Sequence, residues 1–121
     1  METKLDRIFI RDLLVRCIVG INDEERIKKQ DIMINIDLYA DLTKATESDN
    51  IEDTINYKKL KLNIIDFVEN SAFFLIEKLA AEIAVLCLKE DKVQKVKVAV
   101  DKPTALRFVK TVGVEVIRTR D

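Results

Sequence analysis

The sequence predicts an α+β domain in the order β-β-α-α-β-β, a four-stranded antiparallel sheet with two helices on one face. Three observations carry this. Apolar residues alternate with polar ones in four separate segments, the period of a half-buried strand. Between residues 57 and 89 the period changes to the helical one. And no repeat, linker or low-complexity segment divides the 121 residues, so residues 1–121 read as a single domain long enough for its own core.

The first strand covers residues 7–19. Ile8 and Ile10 share a face, then Leu13, Val15, Cys17 and Val19 take it over, a slip of phase near Arg11-Asp12 that predicts a bulge. Gly20 closes the strand and a charged connection, Ile21 to Asp31, follows. The second strand alternates cleanly: Ile32, Ile34, Ile36, Leu38 and Ala40 face inward, Met33, Asn35, Asp37, Tyr39 and Asp41 outward. Residues 43–56 are polar and read as a connection, with Asp53 and Thr54 as candidate helix caps. A helix from Tyr57 carries Leu60, Ile64, Phe67 and Val68 on one stripe, and Asn70-Ser71 interrupts it. A second helix, from about Phe73 to Lys89, carries Ile76, Leu79, Ala80, Ile83 and Cys87. The third strand is Val96 to Val100, ended by Pro103, which lacks a ladder donor. The fourth runs from about Phe108 to Thr119. The helix-free sheet face, with Asn35, Asp37, Asp41, Lys97, Asp101 and Glu115, is expected to be wet. Two sheet edges remain to be covered or paired.

Composition excludes several functions. With 21 Lys and Arg against 22 Asp and Glu, no basic field points to nucleic acid or to an anionic membrane. No apolar run is long enough to span a bilayer, and the charged start does not resemble a signal peptide. Cys17 and Cys87 lack zinc-site spacing and read as small buried hydrophobes in a reducing cytoplasm. There is no histidine, which removes Ser-His-Asp and Cys-His nucleophiles and imidazole-bound zinc. Two glycines, Gly20 and Gly113, are too few for a phosphate-cradling loop.

Lys102 falls on the valine side of the third strand, where Pro103 stops it. A lysine leaving a buried row is partly desolvated, which suits it to act as an acid near neutrality. By position alone it snorkels to solvent.

Several short pieces occur in order along nearly the whole chain: Ile18-Val19-Gly20-Ile21 with Glu25 and Gln30-Asp31, Ser48-Asp49-Asn50-Ile51, Thr54-Ile55-Asn56-Tyr57, Leu75-Ile76-Glu77-Lys78-Leu79, and Asp101-Lys102-Pro103 with Val112-Gly113-Val114. Together they resemble the dihydroneopterin aldolase family, which includes dihydroneopterin triphosphate 2′-epimerase. The resemblance implies the tunnelling fold, in which four subunits close a β-barrel and two rings stack as an octamer. It also implies a site between neighbouring subunits that uses neither metal nor other cofactor. Related folds that hold zinc through histidine are disfavoured by the lack of histidine.

The resemblance assigns roles. Glu77 anchors a pterin, its carboxylate accepting two parallel hydrogen bonds from the amino-pyrimidinone edge, with Ile76 beside it in the binding site. Glu25 orients the trihydroxypropyl chain and helps take the hydroxyl proton. Tyr57 reaches into the neighbour's pocket and shuttles the proton at the released carbon, and Lys102 is the cationic acid. Thr54 and Ile55 give backbone contacts from the neighbouring subunit, and Arg107 is placed to pair with a substrate phosphate. The implied activity is retro-aldol cleavage of 7,8-dihydroneopterin. Two alternatives stay open: the 2′-epimerase, and a non-catalytic pterin-binding or assembly module.

Overall fold

The computed structural model describes residues 5–103 and 106–120. In chain order the elements are β1 (Asp6–Val19), β2 (Gln30–Ala40), α1 (Thr43–Ser48), α2 (Tyr57–Glu69), β3 (Ala72–Phe73), α3 (Ile76–Leu88), β4 (Lys95–Pro103) and β5 (Thr111–Thr119). Short 3-10 turns cover Asp23–Arg26 and Ile51–Asp53. The sheet order is β3-β1-β2-β4-β5.

The four long strands pair antiparallel, as alternation requires. The slip in β1 is a register shift between Ile10 and Leu13, with Asp12 at φ 55° and its N–H donating to the Asn35 side chain at 2.8 Å. Beyond the bulge Val15, Cys17 and Val19 join Ile32, Ile34, Ile36 and Leu38 of β2 and Val96, Val98 and Val100 of β4 on the buried face. Leu60, Ile64 and Val68 of α2, and Ile76, Leu79, Ile83 and Cys87 of α3, close over them. Each large aliphatic side chain so buried contributes about 1.5–3 kcal/mol, which makes this layer the main source of stability. Both cysteines are buried, and burial pushes the Cys87 thiol up to about 12.

The structure corrects the expected elements in five places. The sheet has a fifth, two-residue strand: β3 pairs parallel with Ile18 and Val19. Phe73 reads in the sequence as the start of the second helix. The Phe73 carbonyl instead accepts from Gly20 N–H at 3.2 Å, and α3 begins only at Ile76. The polar connection contains α1, six residues without a buried face, closed by Asp49 at φ 58°; periodicity has no signal there. Asp53 does not cap α2, since its carboxylate accepts from Ser48 Oγ at 2.6 Å and lies 3.3 Å from Lys44. Nor does Thr54; the cap is Asn56, whose side chain accepts from Lys59 N–H at 3.1 Å. β5 starts at Thr111, because Phe108, at φ 68°, has left extended backbone. Finally, the second sheet face is not uniformly wet. Asp37 is 3% exposed, with Arg11 at 2.7 Å, Arg7 at 3.6 Å and Lys97 at 3.7 Å.

Among the described residues no helix is long and apolar enough to cross a membrane. Among the described residues, one side of β1 before Ile18 and the outer side of β5 have no partner strand.

Candidate active site

At the end of β1 the backbone reaches Gly20 at φ +132°, a conformation that L side chains rarely adopt. A Cβ there would also lie 2.2 Å from the Glu25 carboxylate. The glycine therefore lets the following turn fold its carboxylate back against the strand. Asn22 N–H donates to Glu25 Oε1 at 3.2 Å, closing a capping box over the first 3-10 turn.

Two more groups hold the other oxygen of Glu25. Gln30, the first residue of β2, donates from Nε2 at 3.0 Å, and the same nitrogen donates to the Val19 carbonyl at 2.6 Å. Lys102 Nζ, from the end of β4, lies 2.5 Å away. Lys102 thus ends the valine row in an ion pair, with its side chain 14% exposed, rather than snorkelling. The lysine hydrogen bond, with Gln30 and Asn22 adding to it, holds the Glu25 carboxyl at about 2 against an ordinary 4.5.

This pair lines a cavity of about 380 Å³, a size suited to a small molecule. Ile76 and Glu77, in the first turn of α3, line the same cavity, as do Phe74 and Leu106. Glu77 is exposed at the helix start, where the dipole favours an anion. Four of the expected site residues therefore meet: Glu25, Lys102, Ile76 and Glu77.

The other four do not join them. Thr54 and Tyr57 line a different concavity, of about 470 Å³, beside Ile8, Leu42 and Ile51. Tyr57 is 56% exposed there. Ile55 is fully buried, so its side chain belongs to the core. Ile8 and Gly20 lie near opposite ends of β1, which puts the two concavities at opposite ends of the strand, beyond side-chain reach of each other within one chain. Arg107 lines neither; its guanidinium sits 5.1 Å from the centre of the Phe108 ring. Thr104 and Ala105, next to it, lie outside the described residues.

Arg26 reads in the sequence as part of a solvated charge run, which contains no signal to separate it. Gln30 stood in a motif without a role. Among the described residues no three His, Cys, Asp or Glu side chains cluster to hold a metal.

The dihydroneopterin aldolase (FolB) family model matches residues 8–117. The chain belongs to the dihydroneopterin aldolase family. It is 40% identical over 117 residues to the folic acid synthesis protein FOL1 of Dictyostelium discoideum, which covers 97% of this chain but 18% of that protein. It is 37% identical over 114 residues to the dihydroneopterin triphosphate 2′-epimerase of Pseudomonas aeruginosa, covering 94% of this chain and 93% of that one. Among solved structures, Escherichia coli dihydroneopterin aldolase in complex with neopterin matches with a TM-score of 0.89 and 31% identity, covering 93% of this chain and 98% of that one. The chain thus spans less than a fifth of the Dictyostelium protein and nearly all of the other two.

Proposed function

We propose that this member of the family is a dihydroneopterin aldolase, splitting 7,8-dihydroneopterin into 6-hydroxymethyl-7,8-dihydropterin and glycolaldehyde in folate synthesis. The observation that carries the reading is the meeting of the Glu25–Lys102 pair and Glu77 in one cavity.

Breaking the bond between the first and second side-chain carbons leaves an electron pair. The pterin's own C=N bond beside the chain accepts it, so the enzyme need supply only positioning and proton transfer. In this reading Glu77 holds the amino-pyrimidinone edge. Glu25, a lasting anion near neutrality, accepts a hydrogen bond from the side-chain hydroxyl that loses its proton. The Lys102 ammonium stabilises the electron pair arriving on the ring nitrogen. The first side-chain carbon then takes a proton, and the C=N bond reforms. Tyr57 delivers that proton, and the one released by the hydroxyl passes through solvent to restore it, so the reaction is proton-neutral overall.

Tyr57, Thr54 and the Ile55 backbone are too far away to serve the cavity of their own subunit. We place them in the neighbour's, with subunits joined through the unpaired sides of β1 and β5 into a ring of four or a stacked eight. Two buried free thiols suit a reducing cytoplasm.

The likeness to the Pseudomonas protein favours a second reading, the 2′-epimerase. It shares the first cleavage and re-forms the bond on the other face. Supplying dihydroneopterin and its triphosphate separately, and resolving products by chromatography, decides between them. Glycolaldehyde from the unphosphorylated substrate is expected, with some epimer beside it. Epimer from the triphosphate with no aldehyde from either substrate would overturn the aldolase. Binding without turnover would leave a pterin-binding module.

A further inference from the structure

Arg26 follows Glu25 directly, and the chemistry above gives it nothing to do. Its guanidinium nonetheless makes three backbone hydrogen bonds. Nη1 donates to the carbonyls of Gly20 at 3.1 Å and Phe73 at 3.0 Å, and Nη2 donates to Ala72 at 2.7 Å. The guanidinium carbon lies 4.0 Å from the centre of the Phe74 ring, a cation–π stack.

The segment it grips is otherwise held by its short pairing with Ile18 and Val19, by Gly20 N–H on the Phe73 carbonyl at 3.2 Å, and by Phe73 against the Phe67 ring. β3 is only two residues long. Leu75, the residue before α3, offers no side-chain cap, and Phe74 and Leu75 are 61% and 50% exposed. Yet this segment delivers the first turn of α3, and with it Glu77, to the cavity. Residues 25 and 26 of one short turn thus face two ways. Glu25 binds Lys102 at the end of β4, and Arg26 binds the lead-in to α3.

We propose that Arg26 is a positioning residue for ligand binding, holding the Ala72–Leu75 segment so that Glu77 stands in a set relation to the Glu25–Lys102 pair. This rests on the reading of Glu77 as the pterin anchor. A ligand gripped at one end by Glu77 and at the other by Glu25 and Lys102 requires that relation before it binds; otherwise binding must order the segment itself, at a cost in affinity. A guanidinium suits the task because its rigid fork reaches several carbonyls while its flat face stacks on the ring. A lysine keeps the charge and loses the fork.

The test is Arg26→Lys. A weakening of about tenfold is expected both in the dissociation constant for neopterin and in KM for 7,8-dihydroneopterin, with kcat changed much less. Amide hydrogen exchange at residues 74–77 should quicken while β1 and β2 keep their protection. Unchanged neopterin affinity in Arg26→Lys overturns the proposal, even if the melting temperature falls or exchange quickens, since those changes alone mark a purely structural contact. Arg26→Ala should act in the same direction and further; if it does not fold, the lysine variant decides. Glu77→Ala separates this proposal from the reading beneath it. Should Glu77→Ala bind neopterin within a few-fold of wild type, the anchor reading itself is wrong. Should Glu77→Ala lose binding while Arg26→Lys does not, only the role of Arg26 falls.

Discussion

Glu25 accepts hydrogen bonds from Lys102, Gln30 and the backbone of Asn22, and in the unfolded chain it has none of them. Its carboxyl is held at about 2 when folded, against an ordinary 4.5. The sign follows from linkage: the folded state resists protonation, so this stabilisation is fully present above about pH 4.5 and is lost as pH falls towards 2. The pair is partly solvated, so its worth is on the order of 1 kcal/mol after screening. Lys102→Met should therefore flatten the loss of stability over that window, read as chemical-denaturation midpoints at a series of pH values. A wild-type slope in the variant would remove Lys102 as the cause. The same variant should turn over roughly 10²-fold more slowly or worse, the usual size of an acid–base contribution.

At the scale of elements, much was legible in the sequence because burial writes itself as period. The phase slip at Arg11-Asp12 marked the bulge in β1, and the aliphatic rows of β2 and β4 marked the buried sheet face. What escaped had no such pattern. α1 buries no residue, β3 is two residues long, and Phe108 reverses the backbone through its own dihedral. The residue types of the candidate site stand in the family motifs. The meeting of Glu25 with Lys102, 77 positions apart, needed the fold, as did the hold of Arg26 on the lead-in to α3. The turn at Gly20 invites a direct test. Gly20→Ala forces a side chain into the positive-φ region and into the Glu25 carboxylate. A loss of ~1–3 kcal/mol in stability is expected, with neopterin affinity falling as the carboxylate is displaced. Calorimetry and fluorescence titration would check both; an alanine variant with wild-type affinity would show that the turn tolerates a shift.

For the whole molecule, the proposed ring would use the sides of β1 and β5 that are unpaired among the described residues, and would answer the separation of Tyr57 from Lys102. Sedimentation should find four or eight subunits. A stable monomer with full activity would sink both the ring and the shared site.

The proposed division of the site between two ends of each subunit also has a genetic reading. If each pocket draws Lys102 from one chain and Tyr57 from the next, two defective alleles can repair one another. A cell carrying one copy with Lys102→Ala and another with Tyr57→Phe would assemble mixed rings. Wherever a neighbour pair falls in the favourable order, one pocket holds both intact residues and its partner pocket holds neither. Co-expression of the two would then restore part of the activity that each lacks alone, whereas a site contained within one chain would leave the mixture as inactive as its parents.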